Sequence, residues 1–80
     1  MGRFRLVWDT SVDGLCKGNP HHFEEYVHEG EPRHVIVIQE SCGFWYAFEI
    51  KGDHIRTVTA GKTKEEVREA LIRMGYDLRR

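Results

Sequence analysis

Cysteine and histidine, the side chains that most often bind zinc, are concentrated in the first half of this sequence. Cys16, His21, His22 and His28 lie within a stretch of 13 residues, and Cys42 follows them. Zinc sites use four such ligands in a tetrahedral arrangement, commonly at short regular spacings. No CxxC is present, and the two adjacent histidines would point apart on a helix. We therefore expect ordinary surface side chains, and we predict no metal and no other cofactor.

Cys42 is also the one candidate for a nucleophile, in the segment Ser41-Cys42-Gly43. Covalent catalysis requires, besides a base, a group that orients the base and an oxyanion hole. No motif in the sequence supplies them, and GKTK at residues 61–64 lacks the upstream glycine of a phosphate-binding loop. We expect no catalytic residues and a non-enzymatic function.

The composition is typical of a globular protein. The chain has 80 residues, of which 40% are hydrophobic and 31% charged, and this balance argues against disorder. We predict a single domain over residues 1–80, with a strand, loop and short helix in residues 1–33 and a meander plus helix in residues 34–76. No apolar run is long enough to span a membrane, and the N-terminus does not resemble a signal peptide. We therefore expect a cytoplasmic protein with free thiols and no membrane partner.

Residues 34–76 carry strong local signals for strands and a helix. Three runs rich in β-branched and aromatic residues, HVIVIQE, FWYAFEIK and HIRTVTA, are separated by short turn sequences. This pattern predicts a three-stranded antiparallel meander. In the next segment, TKEEVREALIRM, Thr63 and Glu66 form a capping box and Gly75 follows the last turn, which predicts a helix over residues 64–74. Its apolar stripe is Val67, Ala70, Leu71 and Met74.

The first 33 residues combine a strand pattern with turn residues. Residues 3–8 alternate in side-chain type and predict a short strand that could pair with HVIVIQ. Asn19 and Pro20 are residue types favoured at a helix start, so we predict a short helix near residues 20–28. Its apolar face would be Phe23, Tyr26 and Val27. The predicted fold class is α+β, a three- to four-stranded antiparallel sheet with the C-terminal helix on one face.

The turns of the meander predict which residues share a face of the sheet. If Cys42-Gly43 and Gly52-Asp53 are two-residue hairpin turns, Val37 lies opposite Phe48, and Phe48 opposite Thr57. Glu49 and Arg56 then become cross-strand neighbours. The face richer in large side chains would be covered by the helix. That face is Val35, Val37, Tyr46, Phe48, Ile50, Ile55, Thr57 and Thr59.

The opposite face would leave apolar side chains without a cover. We predict that residues 20–28, a protein partner or a second copy of the chain packs on it, because an exposed apolar patch commonly marks an interface. The predicted function is a small regulatory or interaction domain. The predicted partner-binding residues are Ile36, Ile38, Trp45, Ala47 and Val58.

Nucleic-acid binding is the alternative function. A three-stranded sheet can enter the major groove and contact DNA from one face. Lys51, His54 and Arg56 would make these contacts. The formal net charge of the chain is −1, and Glu40 and Glu49 would lie on the same face and repel phosphate.

Two family resemblances bear on these alternatives. Residues 35–71, with VIVIQESCGFWYAF and AGKTKEEVREAL, resemble the small HicB-like antitoxin domains. This resemblance implies a regulatory domain of prokaryotic or phage origin that forms dimers and binds a protein. GFWYAFEI and GKTKEEVREA also resemble the arm-type DNA-binding domains of tyrosine recombinases. That second resemblance implies contact with DNA.

Overall fold

The computed structural model describes residues 3–9 and 22–79, which contain six strands and one helix. In chain order the elements are β1 Arg3–Asp9, β2 Phe23–His28, β3 Arg33–Gln39, β4 Trp45–Lys51, β5 His54–Gly61, α1 Lys64–Arg73 and β6 Asp77–Arg79.

The strands form one sheet in the order β5-β4-β3-β2-β1-β6. Neighbouring strands are antiparallel except β1 and β6, which are parallel. The helix α1 packs against one face of this sheet. The predicted α+β class is confirmed, whereas the sheet is mixed and has more than the predicted three to four strands.

The prediction of a short helix near residues 20–28 is wrong for the part of this segment that the structure describes. Phe23–His28 is strand β2, which pairs with β1 on one side and β3 on the other. Its side chains follow the period of a strand, because Glu24 and Tyr26 are buried while Phe23 and Val27 point to the opposite face. The local helix-start signal at Asn19 and Pro20 lies outside the described residues.

Strand β1 confirms the strand predicted over residues 3–8, but it does not pair with HVIVIQ. That segment is β3, and it is flanked by β2 and β4. β1 instead pairs with β2, with an irregularity between Leu6 and Trp8, and with the short C-terminal strand β6. Both edges of the apolar strand β3 are therefore occupied, which protects it from pairing with other chains.

The β3–β4 turn differs from the prediction by one residue. Gly43 N–H donates to Glu40 O at 2.9 Å, and Glu40 N–H donates to Phe44 O at 2.9 Å. Three residues, Ser41 to Gly43, therefore form the loop, with Gly43 in the left-handed region at φ 94°. This is the geometry of a turn followed by a glycine bulge.

This extra loop residue shifts the predicted register. Val37 lies opposite Ala47, and Phe48 opposite Ile36, so the predicted pairing of Val37 with Phe48 is wrong. A shift of one residue moves every side chain of one strand to the other face relative to its neighbour. The predicted grouping of Val35 and Val37 with the Phe48 side of β4 is therefore also wrong.

The β4–β5 hairpin agrees with the prediction. Lys51 pairs with His54 around the turn at Gly52-Asp53. The predicted pairs Glu49–Arg56 and Phe48–Thr57 are both present. Beyond them the register shifts by one residue, since Ala47 pairs with Thr59, and Val58 is the extra residue of a bulge.

Helix α1 begins and ends as its sequence predicts. Thr63 Oγ1 accepts from the Glu66 N–H at 3.1 Å, and the Glu66 carboxylate accepts from the Lys62 N–H at 3.0 Å. At the C-terminus Gly75 has φ 100°. Tyr76 N–H donates to Leu71 O at 3.0 Å, which completes a Schellman motif and turns the chain into β6.

The core lies between α1 and the sheet face that we call the inner face. Val67 and Leu71 of the helix are fully buried there, whereas Met74 of the predicted stripe is 52% exposed. The helix covers Val35, Val37 and Ala47, so its predicted placement on the Phe48 face is wrong. The buried apolar and aromatic residues are Phe4, Tyr26, Val35, Val37, Ala47, Val67, Leu71 and Tyr76.

Candidate functional site

The sheet face opposite α1, which we call the outer face, carries apolar side chains on four adjacent strands. Cross-strand pairing brings them together, because residues directly opposite on neighbouring strands point to the same side. These residues are Phe23 and Val27 of β2, Ile36 and Ile38 of β3, Tyr46, Phe48 and Ile50 of β4, and Ile55 of β5.

Within the described part of the chain, no element packs on the outer face. Most of its members are half-buried, and Ile55 at the edge strand is 68% exposed. Tyr46 and Phe48 are stacked with ring centroids 6.3 Å apart. One polar pair interrupts the apolar surface, where His34 Nδ1 lies 3.0 Å from Glu25 Oε2.

The predicted partner-binding residues are divided between the two faces. Ile36 and Ile38 lie on the outer face. Trp45, Ala47 and Val58 lie on the inner side, where Ala47 is fully buried and the other two pack against the core. The predicted grouping of these five residues on one face is therefore wrong, because it assumed a β3–β4 turn that is one residue shorter than the actual turn.

The residues predicted for nucleic-acid binding do lie together, on the inner side of the sheet and at the end of the β4–β5 hairpin. Lys51 pairs with His54, and Arg56 is opposite Glu49 two positions farther along. They border a cleft of about 540 Å³, which we call the hairpin cleft. Its lining consists of Arg33, Glu49, Lys51, His54, Ile55 and Arg56.

A buried carboxylate, Glu49, organises the floor of this cleft. Its side chain is 5% exposed. Glu49 Oε2 accepts from Arg33 through both Nε, at 2.7 Å, and Nη2. Glu49 Oε1 accepts from Arg56 Nη2 and from the Tyr76 hydroxyl, each at 2.9 Å. Both carboxylate oxygens are thus occupied by donors from three different strands or turns.

These contacts shift the ionisation of the groups involved. Burial by itself would raise the pKa of Glu49, but the hydrogen bonds from Arg33, Arg56 and Tyr76 outweigh it and lower that pKa. Burial and the bond to Glu49 raise the pKa of the Tyr76 hydroxyl. The pKa of Arg33 is raised by its hydrogen bond to Glu49. At neutral pH the floor therefore holds an ionised carboxylate between two guanidinium groups.

The rim of the cleft is more accessible than its floor. The Arg56 side chain is 66% exposed, against 18% for Arg33. Lys51 is also exposed, and it forms no ion pair with any residue that the structure describes. His54 Nε2 lies 3.9 Å from the fully exposed carboxylate of Asp53.

A second buried carboxylate, Glu24, ties α1 to the sheet. It is 1% exposed and accepts from the Tyr26 hydroxyl at 2.7 Å. Lys64 Nζ lies 3.2 Å from Glu24 Oε2, and Arg68 Nε lies 3.8 Å from Oε1. Burial, followed by the hydrogen bond to Glu24, raises the pKa of Tyr26 to about 12. These side chains contact one another between the helix and the sheet, so we assign them a structural role in helix–sheet packing.

Sequence reasoning missed both buried carboxylates. One signal for them is available in the sequence. Glu24 and Glu49 each lie two residues from a buried residue of the same strand, Tyr26 and Ala47, and therefore point to the same face of the sheet. A second signal is that Lys64 and Arg68 are spaced i, i+4 and share the side of α1 that holds Val67 and Leu71.

The cysteine and histidine side chains that were considered as metal ligands lie in different parts of the described structure. His28 Nδ1 accepts from the N–H groups of Gly30 and Glu31 at 3.0 and 2.9 Å, and Cys42 is exposed in the β3–β4 turn. Cys16 and His21 lie outside the described residues. Over residues 3–9 and 22–79, no group of three or more potential ligands lies close enough to hold a metal ion.

A search for membrane-spanning helices in the described residues and comparisons with known proteins both gave negative results. The one helix in the described segments is too short to cross a bilayer. No protein-family model matches the chain, and no curated protein or solved structure matches it significantly.

Proposed function

We propose that this protein is a non-enzymatic binding module that self-associates through the outer face, with two copies packing sheet against sheet. The observation that supports this proposal is the outer face itself, eight apolar or aromatic side chains on four adjacent strands. Removal of apolar surface from water is the main favourable term in such association. A sheet with one covered and one uncovered apolar face gains stability by covering the second.

The dimensions of the molecule suit a second copy as the occupant. The described residues extend over 34 × 24 × 23 Å, so the face is at most roughly 800 Å², about what each partner buries in a standard interface. Apolar contacts are non-directional, so a surface such as this one can pack on a copy of itself across a two-fold axis. Glu25 and His34 already contact each other at 3.0 Å, and burial would therefore leave neither without a partner.

Substitution of Ile36 tests this proposal. Ile36→Glu would place a charge at the centre of the interface, and we expect it to convert a dimer of about twice 9.4 kDa into a monomer at micromolar concentration. Ile72→Glu is the matched control, because Ile72 lies on α1 and is 54% exposed. The control should remain dimeric. Sedimentation velocity or native mass spectrometry gives the mass, and circular dichroism confirms that both variants fold.

Two outcomes would contradict the proposal. A wild-type protein that stays monomeric at high micromolar concentration would show that a second copy does not cover the outer face. Loss of the dimer in both variants would place the interface elsewhere. In the first case a different protein partner becomes the candidate, as the resemblance to HicB-like antitoxin domains would suggest.

The alternative function, a sheet inserted into a nucleic-acid groove, receives less support from the geometry. Lys51, His54 and Arg56 are on the inner side, where α1 covers the centre of the sheet. A sheet that reads the major groove presents an open face to the bases. The cationic groups lie together only at the end of one hairpin, so they favour a local contact with an anion over readout of a base sequence.

A further inference from the structure

The hairpin cleft combines a floor formed by the Arg33–Glu49 ion pair with two accessible cationic groups, Arg56 and Lys51, at its rim. We propose that it binds a phosphate group, carried either by a small phosphorylated molecule or by the backbone of a nucleic acid. The cleft is on the inner side of the sheet and is built from β3, β4 and β5. Ile55, at the edge of the sheet, borders both the cleft and the outer face, but the cationic side chains that carry this proposal all lie on the inner side and do not depend on self-association.

Arg56 is held in position with donors to spare. Its Nε and Nη2 donate to Glu49 Oε1 at 3.3 and 2.9 Å, and Nη2 lies 3.3 Å from the Tyr76 hydroxyl. A guanidinium carries five N–H donors in a fixed plane. The contacts to Glu49 and Tyr76 are made by the Nε and Nη2 groups, along one edge of the guanidinium. The Nη1 group has no partner among the described residues. A ligand thus meets an arginine whose orientation is already fixed, which lowers the entropy lost on binding.

Lys51 supplies a second, mobile positive charge. It is opposite Arg33 on β3 and opposite His54 on β5, at the mouth of the cleft. Its ammonium group can turn toward a phosphate oxygen as a point charge, while Arg56 offers the planar donors that match phosphate geometry. His54, which is 93% exposed, adds a ring nitrogen at the same rim.

The balance of charge in the cleft favours an anion. Among the lining residues, Arg33, Lys51 and Arg56 oppose one carboxylate, Glu49, which leaves two formal positive charges in excess. Both Glu49 oxygens are already accepting hydrogen bonds. Two further carboxylates lie near the cleft, Glu31 with Oε2 3.5 Å from Arg33 Nη1 and Asp53 beside His54. They are 52% and 100% exposed, so water screens their repulsion of an anion. The volume of about 540 Å³ is within the range of small-molecule sites.

The experiment is a titration followed by ¹⁵N amide chemical shifts at constant ionic strength. The probes are inorganic pyrophosphate, a mononucleotide and a single-stranded oligonucleotide. We expect saturable shifts centred on Lys51, His54 and Arg56. Lys51→Gln should weaken pyrophosphate binding by about three- to tenfold, the scale of one charge-assisted contact. Lys62→Gln is the matched control, since Lys62 is an exposed lysine beyond the other end of β5, and it should leave the affinity unchanged.

The outcomes separate the proposal from general charge attraction and identify the source of the phosphate. No saturable shift at about 10 mM pyrophosphate, or equal weakening by the two lysine variants, would overturn the proposal. Tighter binding of the oligonucleotide than of the mononucleotide, with an affinity that falls steeply with salt, indicates a nucleic-acid backbone. Mononucleotide binding at least as tight as oligonucleotide binding indicates a small phosphorylated ligand.

Discussion

Glu49 shows how the surroundings of a residue decide its role. The sequence pairs it with Arg56, and such a pair on an exposed sheet surface contributes little to stability. In the structure Glu49 is 5% exposed and also accepts from Arg33 and Tyr76. Breaking a buried ion pair by removing one partner is costly because the other charge is left uncompensated. We therefore regard Glu49 as a centre of both stability and cleft geometry.

Glu49→Gln should lower the free energy of unfolding by about 2 kcal/mol at pH 7, because Arg33 loses its buried counter-ion. The pKa of Glu49 is lowered in the folded protein. Its ionised form therefore stabilises the fold above the unfolded pKa of about 4.3, and this contribution is lost as the pH falls through the folded pKa. Urea unfolding measured from pH 7 to pH 2 should show the curves of wild type and variant converging at the acid end.

Glu29→Ala is the matched control for this measurement. The Glu29 side chain is exposed, and its residue contributes a backbone N–H bond to Arg3 O that the substitution retains. Its unfolding curves should parallel those of the wild type at every pH. A constant gap between wild type and Glu49→Gln down to pH 2 would contradict the role assigned to the ionised carboxylate.

At the scale of elements, a single turn residue decides which side chains α1 covers. The loop from Ser41 to Gly43 places Ala47 opposite Val37 and directs Phe48 to the outer face. Gly43 makes this loop possible, since its φ of 94° is in the region that residues with a Cβ rarely adopt. A glycine in the same left-handed region, Gly75, follows α1 and terminates the helix.

Gly43→Ala should destabilise the protein by about 1–2 kcal/mol, the cost of a Cβ in the left-handed region. A Cβ at this position would meet no atom within 4 Å, so the cost is one of backbone conformation and not of a clash. Thermal or urea unfolding measures it. Gly30→Ala is the control, because the added Cβ would meet only His28 at an ordinary 3.7 Å, and it should change stability by less than about 0.5 kcal/mol. Equal effects of the two substitutions would contradict this account of the turn.

Strand β2 illustrates a limit of local patterns. Phe23, Tyr26 and Val27 fit one face of a helix as well as they fit a strand, and a proline precedes them as it often precedes a helix. The segment forms a strand and not a helix because it pairs with β3, whose apolar edge would otherwise be open. Tertiary pairing of this kind commonly overrides local propensity.

At the scale of the whole molecule, the two faces of the sheet have different roles. The inner side carries the core, the Glu24 and Glu49 networks and the hairpin cleft. The outer face carries the apolar side chains of β2 to β5, with the Glu25–His34 pair among them and the Asp77–Arg79 pair on β6 at the sheet edge. Self-association and anion binding are thus assigned to opposite sides of one sheet. Two copies that pack through their outer faces would leave Lys51, His54 and Arg56 accessible, because these three side chains point to the inner side.

Dimerisation through the outer face should make thermal stability depend on protein concentration. Because unfolding would then separate two chains, raising the concentration a hundredfold should raise the thermal midpoint by roughly 5 °C. Scanning calorimetry or circular dichroism over that range measures the effect. The dependence should disappear in Ile36→Glu and persist in Ile72→Glu. A wild-type midpoint independent of concentration would contradict a folded dimer.

The sequence by itself determined the elements whose signals lie within a few residues of each other. The meander strands, the Gly52-Asp53 turn, the Glu49–Arg56 pair and both ends of α1 were predictable, because capping, hairpin pairing and side-chain alternation are local interactions. The α+β class followed from them. The proximity of Lys51, His54 and Arg56, which the sequence offers as nucleic-acid-binding residues, was also predictable because they are neighbours across one short turn.

Only the tertiary structure decided which face α1 covers, where residues 23–28 lie and what surrounds Glu49. The choice of face depends on one residue of loop length, because a shift of one residue in the pairing moves every side chain of a strand to the other face of the sheet. The Glu49 network joins residues 16 and 27 positions away in the chain. Contacts over such distances form only when the whole sheet assembles, and no local pattern records them. The hairpin cleft and the outer face, on which no element of the described residues packs, are the consequences of that assembly.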